Sequence, residues 1–376
     1  MLKLSKGIFI IFTLSFLGFI PLYAQHGQEK GHETDSQAID EHGEEKFNAG
    51  EYVIEHVSDS YDWHVTSWGR EHHISIPLPV FLYSKKPELH GGKKFHFFMS
   101  SKFHHLRYDY KGFRVSESEE FKGKIVELDA NGHELGRPID FSITKTIAEA
   151  IISVILLVIV LISVAKAAIR SKGKAPSGLL NLLEPIIIFI RDEVAKPAIG
   201  SEKYEKFMPY LLSVFFFILL NNFIGLIPFP PFGANVTGNI AVTMVLALFT
   251  FGVTTINGNK HYWKEIYNPD VPWWLKFPIP LMPIVELSGV ITKPFVLMVR
   301  LFANMMAGHL IVSVFVSLIF IFSSLMGPAA GFAISPVSVA FSVFILLLDV
   351  LVSFIQAYVF TLLSAIYFGM ATSEHH

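Results

Sequence analysis

Glu286, Lys293, Arg300, Asn304 and His309 punctuate an otherwise apolar stretch, ELSGVITKPFVLMVRLFANMMAGHLI, residues 286–311. Apolar sequence flanks it on both sides, which predicts that these side chains lie at membrane depth. An ionisable group there is costly and points to a function. At about 100° per residue, Glu286, Lys293, Arg300 and Asn304 fall within roughly 40° of one another, and His309 falls roughly 180° from Arg300. One helix therefore carries a charged stripe on one face and a titratable imidazole on the other. Arg300 does not deprotonate in a protein, so in a membrane it must face water, a carboxylate, or both. Asp349 and Glu286 are the acids available for a purely structural ion pair. A second stripe follows: Ser342, Asp349, Ser353 and Gln356 share one face of the last apolar segment. His309 and Asp349 form a candidate proton relay, because an imidazole beside a carboxylate titrates near physiological pH.

The segment TKPFVLMVRLFANMMAGHL is similar to the signature of subunit a of F-type ATP synthases, whose core reads SKP followed by RLF, N and AG. The resemblance runs from about Leu179 to Met370. It includes EPIIIFIRDEVAKPAIG, NNFIGLIP, GANVTGNIAVT and IQAYVFTLLSAIYF. It implies that Arg300 matches the family's membrane arginine, facing a rotor ring of small hairpins that each carry one carboxylate. It further implies two proton half-channels coupling the proton gradient to ATP synthesis. Gln356, Asn304 and Asn222 match polar positions near the arginine and along the water paths, and Glu286 and Lys293 match the cytoplasmic polar entry. Positions matching His309 and Asp349 carry an acid and a histidine in either arrangement. Gly225 departs from members that carry an aspartate there. Expected partners are the c-ring proteolipids, the peripheral-stalk b subunits, the remaining synthase subunits and membrane lipid, with no nucleic acid.

The elements that must position these residues belong to a membrane protein. The chain has 376 residues, 52% of them hydrophobic and 16% charged, with a net charge of −2; its mean hydropathy is +0.47. Such a composition with long apolar runs defines the membrane class. Without cysteine, disulfides and thiol chemistry are excluded. No phosphate-binding lysine motif, nucleophile elbow or HExxH helix is present, so the chain should not bind or hydrolyse ATP itself and calls for no cofactor.

The expected architecture is an all-α polytopic membrane protein of about five membrane helices, ending in a long tilted hairpin and preceded by a small β-rich extracytoplasmic domain. Residues 1–24 read as a signal peptide: Lys3 and Lys6, a short apolar run, then Leu22-Tyr23-Ala24 before Gln25. An uncleaved anchor is the alternative. Residues 25–50, rich in His and Glu, read as a solvated linker, with loose metal binding by His26, His32 and His42 the rival reading. Residues 51–141 carry short alternating runs and a hairpin signal at Asn131-Gly132, between KIVELD and RPIDFSI. His72-His73 and His104-His105 are poor metal pairs, because strand neighbours point to opposite faces.

The membrane region, residues 142–376, has candidate spans at Ile147–Ile169, Phe207–Ile227, Val236–Ile256, Pro283–Met326 and Ile334–Met370. Leu179–Lys196 suits an interfacial amphipathic segment, with Pro185 arguing against a regular helix through its middle. The last two spans far exceed a hydrocarbon core of about 30 Å, so each must tilt, break or lie partly along the membrane. The segment GPAAGFAISP reads as the turn between them. Basic clusters at Lys166–Lys174 and Lys260–Lys276 mark the inside, giving an amino end outside and a carboxyl end in the cytoplasm of a bacterial inner membrane. The competing class, a secondary transporter with a midplane Arg–Asp site, expects two similar halves, which the sequence lacks. An intramembrane hydrolase would need a serine motif beside His309 and Asp349, and none is present.

Overall fold

The computed structural model describes residues 59–68, 72–103, 109–118, 120–129, 131–171, 175–227, 233–267 and 281–373. The expected signal peptide, the 25–50 linker and His104-His105 lie outside the described residues.

Among the described residues, eight strands occupy the amino-terminal region: β1 (Asp62–Trp68), β2 (His72–Pro77), β3 (Pro79–Tyr83), β4 (Phe95–Met99), β5 (Phe113–Val115), β6 (Ile125–Leu128), β7 (Glu134–Gly136) and β8 (Ile139–Asp140). They form a β1-β2 ribbon and two three-stranded sheets, ordered β4-β3-β8 and β5-β6-β7. Alternation places Val80, Leu82 and Phe98 inside, against Phe103, Phe113, Val115 and Ile125. The Asn131-Gly132 turn closes a hairpin, but its return strand is β7, pairing Leu128 with Glu134. The Asp129 carboxylate accepts the Asn131 and His133 amides at 2.7 and 2.9 Å, which tightens the loop. RPIDFSI goes elsewhere: β8 pairs with β3, Leu82 opposite Asp140. Buried Tyr61 donates its hydroxyl to Asp140.

The chain passes directly from β8 into α1 (Lys145–Arg170). The amino end of α1 is held from the strand region: Lys145 N donates to Ser60 O at 2.9 Å and Thr146 N to the Asp59 carboxylate at 3.2 Å. Such partners satisfy helix-end amides that have none within the helix.

Next come α2 (Leu179–Phe189), a π-helical turn (Ile190–Ala195) and α3 (Lys196–Ile199). Here the expectation for Pro185 is corrected: α2 runs regularly through it. As the seventh of the eleven residues of α2, Pro185 deprives only the Asn181 carbonyl of its amide partner, and the helix continues past that single lost bond. The irregularity comes five residues later, in the π-helical turn. There Asp192 binds Arg191 and Lys196 at 2.8 and 2.6 Å, and these two cations hold its carboxyl far below the usual range.

The remaining helices are α4 (Tyr204–Gly225), α5 (Ile240–Ile256), α6 (Lys260–Tyr267), α7 (Leu281–Met326) and α8 (Pro328–Thr372). By length and composition α1, α4, α7 and α8 suffice to cross a membrane; α5 and α6, bent by 108°, supply a fifth crossing if counted together. The chain is thus mostly helical and multi-pass. The third element starts at Ile240, later than expected, because Asn235 and Asn239 turn their side chains onto the Gly238 and Ala241 amides and cap the helix there.

α7 and α8 pack as a hairpin, each an unbroken helix of 46 and 45 residues despite Pro294 and Pro336. Of the three expected ways to fit these lengths, breaking is therefore not used. The expected ten-residue turn shrinks to Gly327, with φ 87° and ψ 167°, a conformation essentially restricted to glycine. Pro328 then opens α8, where a missing amide hydrogen costs nothing.

α4 is the most buried helix, with Phe207, Tyr210, Phe215 and Phe217 in a core shared with α8 residues Phe360, Ala365 and Phe368. Phe207 stacks on Phe368 at 4.8 Å. At the far end of α8, Lys203 Nζ donates to Thr372 O at 2.9 Å, a cation at a helix carboxyl end.

Candidate ion path between the long helices

Arg300 sits near the middle of α7 on its exposed side. Val296 and Ile311, which share its face by helical periodicity, are exposed as well. Neither Asp349 nor Glu286 pairs with it; among the described residues no carboxylate of this chain forms an ion pair with Arg300. The structural ion pair is thereby excluded.

One turn further on, Asn304 Nδ2 donates to Gln356 Oε1 at 2.7 Å, linking α7 to α8 beside the arginine. The second amide atom of Gln356, Nε2, is buried without a partner, as is the Ser353 hydroxyl. Unsatisfied groups of this kind each cost roughly 1–3 kcal/mol when dry, which favours polar contents beside them.

The opposite side of α7 faces inward. An added Cβ at Gly225 of α4 would lie 3.7 Å from His309 Nε2. A Cβ at Gly308 would lie 2.7 Å from both carboxylate oxygens of Asp349. The carboxylate of α8 thus rests on the α7 backbone, next in sequence to the imidazole. The helical wheel is realised: the guanidinium looks outward, while the imidazole faces α4.

Asn222, fully buried in α4, continues the polar lining. It accepts from Thr237 Oγ1 at 2.6 Å and donates to Ser353 O at 3.5 Å. Asn235 Nδ2 reaches Met305 O on α7 at 3.4 Å. Toward the start of α7, the Lys293 ammonium lies 5.7 Å from the Tyr367 ring centre. A small cavity there is lined by Thr250, Thr254, Tyr262, Lys293 and Tyr367 among others. Glu286, two turns earlier, is half-buried. The sequence-predicted residues thus divide into three groups: Arg300 with Asn304 and Gln356, His309 with Asp349 and Asn222, and Lys293 with Glu286.

One ionisable residue in this region escaped the sequence reading. Glu149 of α1 is completely buried. The available signal was an acid inside the apolar run Ile147–Ile169, three residues from Thr146 and four from Ser153. No cluster of groups able to hold a metal ion occurs among the described residues.

The family model described as ATP synthase A chain matches residues 150–369, and one described as Domain of unknown function (DUF8433) matches residues 52–141. ATP synthase subunit a of Chloroherpeton thalassium is 44% identical over 242 residues, covering 62% of this chain and 68% of the relative. ATP synthase subunit a 2 of Chlorobaculum tepidum is 44% identical over 242 residues, covering 62% and 64%. The subunit a of Anaeromyxobacter sp. is 37% identical over 263 residues, covering 67% and 62%. The match takes in every helix that carries the Arg300, His309 and Asp349 groups, and on it the chain belongs to the ATP synthase A chain family.

Proposed function

We propose that this chain is the proton-translocating stator subunit of an F-type ATP synthase, passing protons through two half-channels to and from carboxylates on a rotor c-ring. The observation that carries this reading is Arg300: a permanent cation on an apolar, exposed helix face, with no acid paired to it among the described residues. Such a group requires an anion or water from beyond this face, since a bare charge against lipid is costly. A ring carboxylate supplies the anion. At about 4 Å and an effective dielectric of about 20, the attraction is roughly 4 kcal/mol, enough to favour the ionised carboxylate as it passes. On leaving Arg300 for lipid, the carboxylate must take up a proton, because its charged form is excluded there. Net rotation then requires that protons enter and leave on opposite sides of the arginine.

The two polar groupings inside the chain suit those two routes. Asn222, His309 and Asp349 line one, and Lys293 with Glu286 and the Thr250–Thr254 cavity lines the other. Nucleotide chemistry belongs to other subunits of the complex, with the peripheral-stalk b subunits holding this chain against rotation. The protein resides in a bacterial inner membrane with its strands outside and its carboxyl end in the cytoplasm, an orientation supported by the basic residues after α1.

The test is ATP synthesis by reconstituted complex under an imposed proton gradient. Arg300→Ala should abolish synthesis while the complex still co-purifies intact. Arg300→Lys should be severely impaired, since a strongly hydrated ammonium replaces a planar, weakly hydrated fork. Normal synthesis by an assembled Arg300→Ala complex would overturn the proposal.

A further inference from the structure

Glu149 is unlike any other acid in the described helices. It is fully buried, near the amino end of α1. Its Oε2 accepts the Ala234 amide at 2.5 Å, while its Oε1 is buried with no hydrogen-bond partner. The nearest basic residue along the chain is Lys145, a turn earlier on α1. The inward face of α1 begins with Thr146, Glu149 and Ser153, all buried, whereas Ile152, Ile155, Ile159 and Ile162 are exposed. A first span that needed only to anchor would not place a carboxyl there. A buried carboxylate oxygen without a hydrogen-bond partner is costly, and a proton placed on it would still seek an acceptor.

What lies beyond Ala234 gives that proton somewhere to go. The Ala234 amide binds Glu149, and the Ala234 carbonyl lies 3.8 Å from the Cβ position of Gly225. His309 Nε2 lies 3.7 Å from the same point. Glycine contributes no side chain there, so a polar-lined gap separates the Ala234 carbonyl from the imidazole. A single water placed in that gap would have both within reach as hydrogen-bond partners. Ala234 is thus flanked by Glu149 on one side and by the approach to His309 on the other.

We propose that Glu149 is a proton-carrying residue of the half-channel on the strand-bearing side of the membrane. It takes a proton from that side on Oε1 and passes it inward, past Ala234 and Gly225, to His309. Only O–H and N–H bonds are made and broken: the carboxyl releases H⁺ to water, water releases H⁺ to the imidazole, and Glu149 is reprotonated from outside. This rests on the proton-translocation reading above. Glu149 acts through His309 and does not meet the ring.

The experiment is passive proton flux through the reconstituted membrane sector, stripped of its catalytic sector and driven by a potassium diffusion potential. Glu149→Gln keeps an oxygen that accepts the Ala234 amide and removes only the exchangeable proton. Flux should fall at least tenfold, and Glu149→Asp should recover some of it. A residue serving only to hold Ala234 would give normal flux as glutamine, and that result overturns the proposal. Gly225→Ala provides a second test from another helix. Its methyl fits at ordinary contact distances yet fills the gap, so flux should fall as well. Undiminished flux in Gly225→Ala overturns the route, and decides the matter if Glu149→Gln does not assemble. Wild-type and Arg300→Ala samples run in parallel keep the two readings apart. A wild type that conducts no protons sinks the functional reading, whereas a conducting wild type with an equally conducting Glu149→Gln sinks this one alone.

Discussion

Asp349 lies against Gly308, the glycine that precedes His309 in sequence. The Asp349 carboxylate occupies the space where a Gly308 side chain would be, 2.7 Å from its Cβ position. Gly308→Ala must therefore displace the carboxylate or push the two helices apart. Gly308→Ala, His309→Ala and Asp349→Ala should each lower proton flux several-fold in assembled complexes, with the latter two also shifting its pH dependence. Flux measured in vesicles across a pH series spanning neutrality is the check, and unchanged profiles in both alanine variants at 309 and 349 would reduce these residues to packing. Helical periodicity alone predicts that Arg300 and His309 lie on opposite faces, because a wheel needs only one helix. It does not predict that Asp349 meets Gly308 rather than His309, since that depends on the register between two helices.

At the scale of the element, the hairpin of α7 and α8 shows where sequence reading succeeds and where it stops. Its apolar length is legible, and so is the Asn304–Gln356 side of the interface. Its turn is not. Two glycines and two prolines in GPAAGFAISP suggest a loop, yet Pro328 falls at the first helical position and Pro336 is absorbed within α8. Only Gly327 does the turning, with backbone angles that other residues adopt at a cost of about 1–3 kcal/mol. Gly327→Ala should lower the stability of the hairpin by that amount, although nothing lies within 4 Å of the added methyl. A reduced thermal midpoint of the detergent-solubilised complex would register it. An unchanged midpoint would mean that the turn can be remade around a different residue. Glu149 is missed for a different reason: in a 26-residue helix one acid near the end resembles a residue reaching for the interface, and only the fold shows it facing inward.

For the whole molecule, the strands lead into the first span without a linker. Phe95 and Phe97 lie exposed on β4, 58% and 56% accessible, with Phe81 stacked on Phe97 at 4.8 Å. The Ser60 and Asp59 bonds to the start of α1 tie the strand region directly to the first membrane helix. This fixes the side on which the strands must lie once the orientation of α1 is known. On the orientation proposed from the positive charges at Lys166 and Arg170, the far end of α1 is inside. An epitope near Asn131 should accordingly be removed by protease added to intact spheroplasts, and protection there would reverse the topology.

The bare guanidinium of Arg300 also sets a limit on how long this chain can exist alone. If the anion comes from a rotor ring, as proposed, then until it arrives the membrane holds a helix whose midpoint presents to lipid a cation with no carboxylate partner among the described residues. Newly made chain should therefore be short-lived, with its lifetime set by encounter with the rest of the complex rather than by its own folding. In cells lacking the ring, pulse-labelled protein should be degraded several-fold faster than in complete cells. Replacing Arg300 by leucine should prolong the lifetime of the orphan chain even as it destroys the assembled machine, and equal decay of both forms would show that some other surface marks the orphan. The same charge would then act twice, first as a signal that the chain is incomplete and later as its working group.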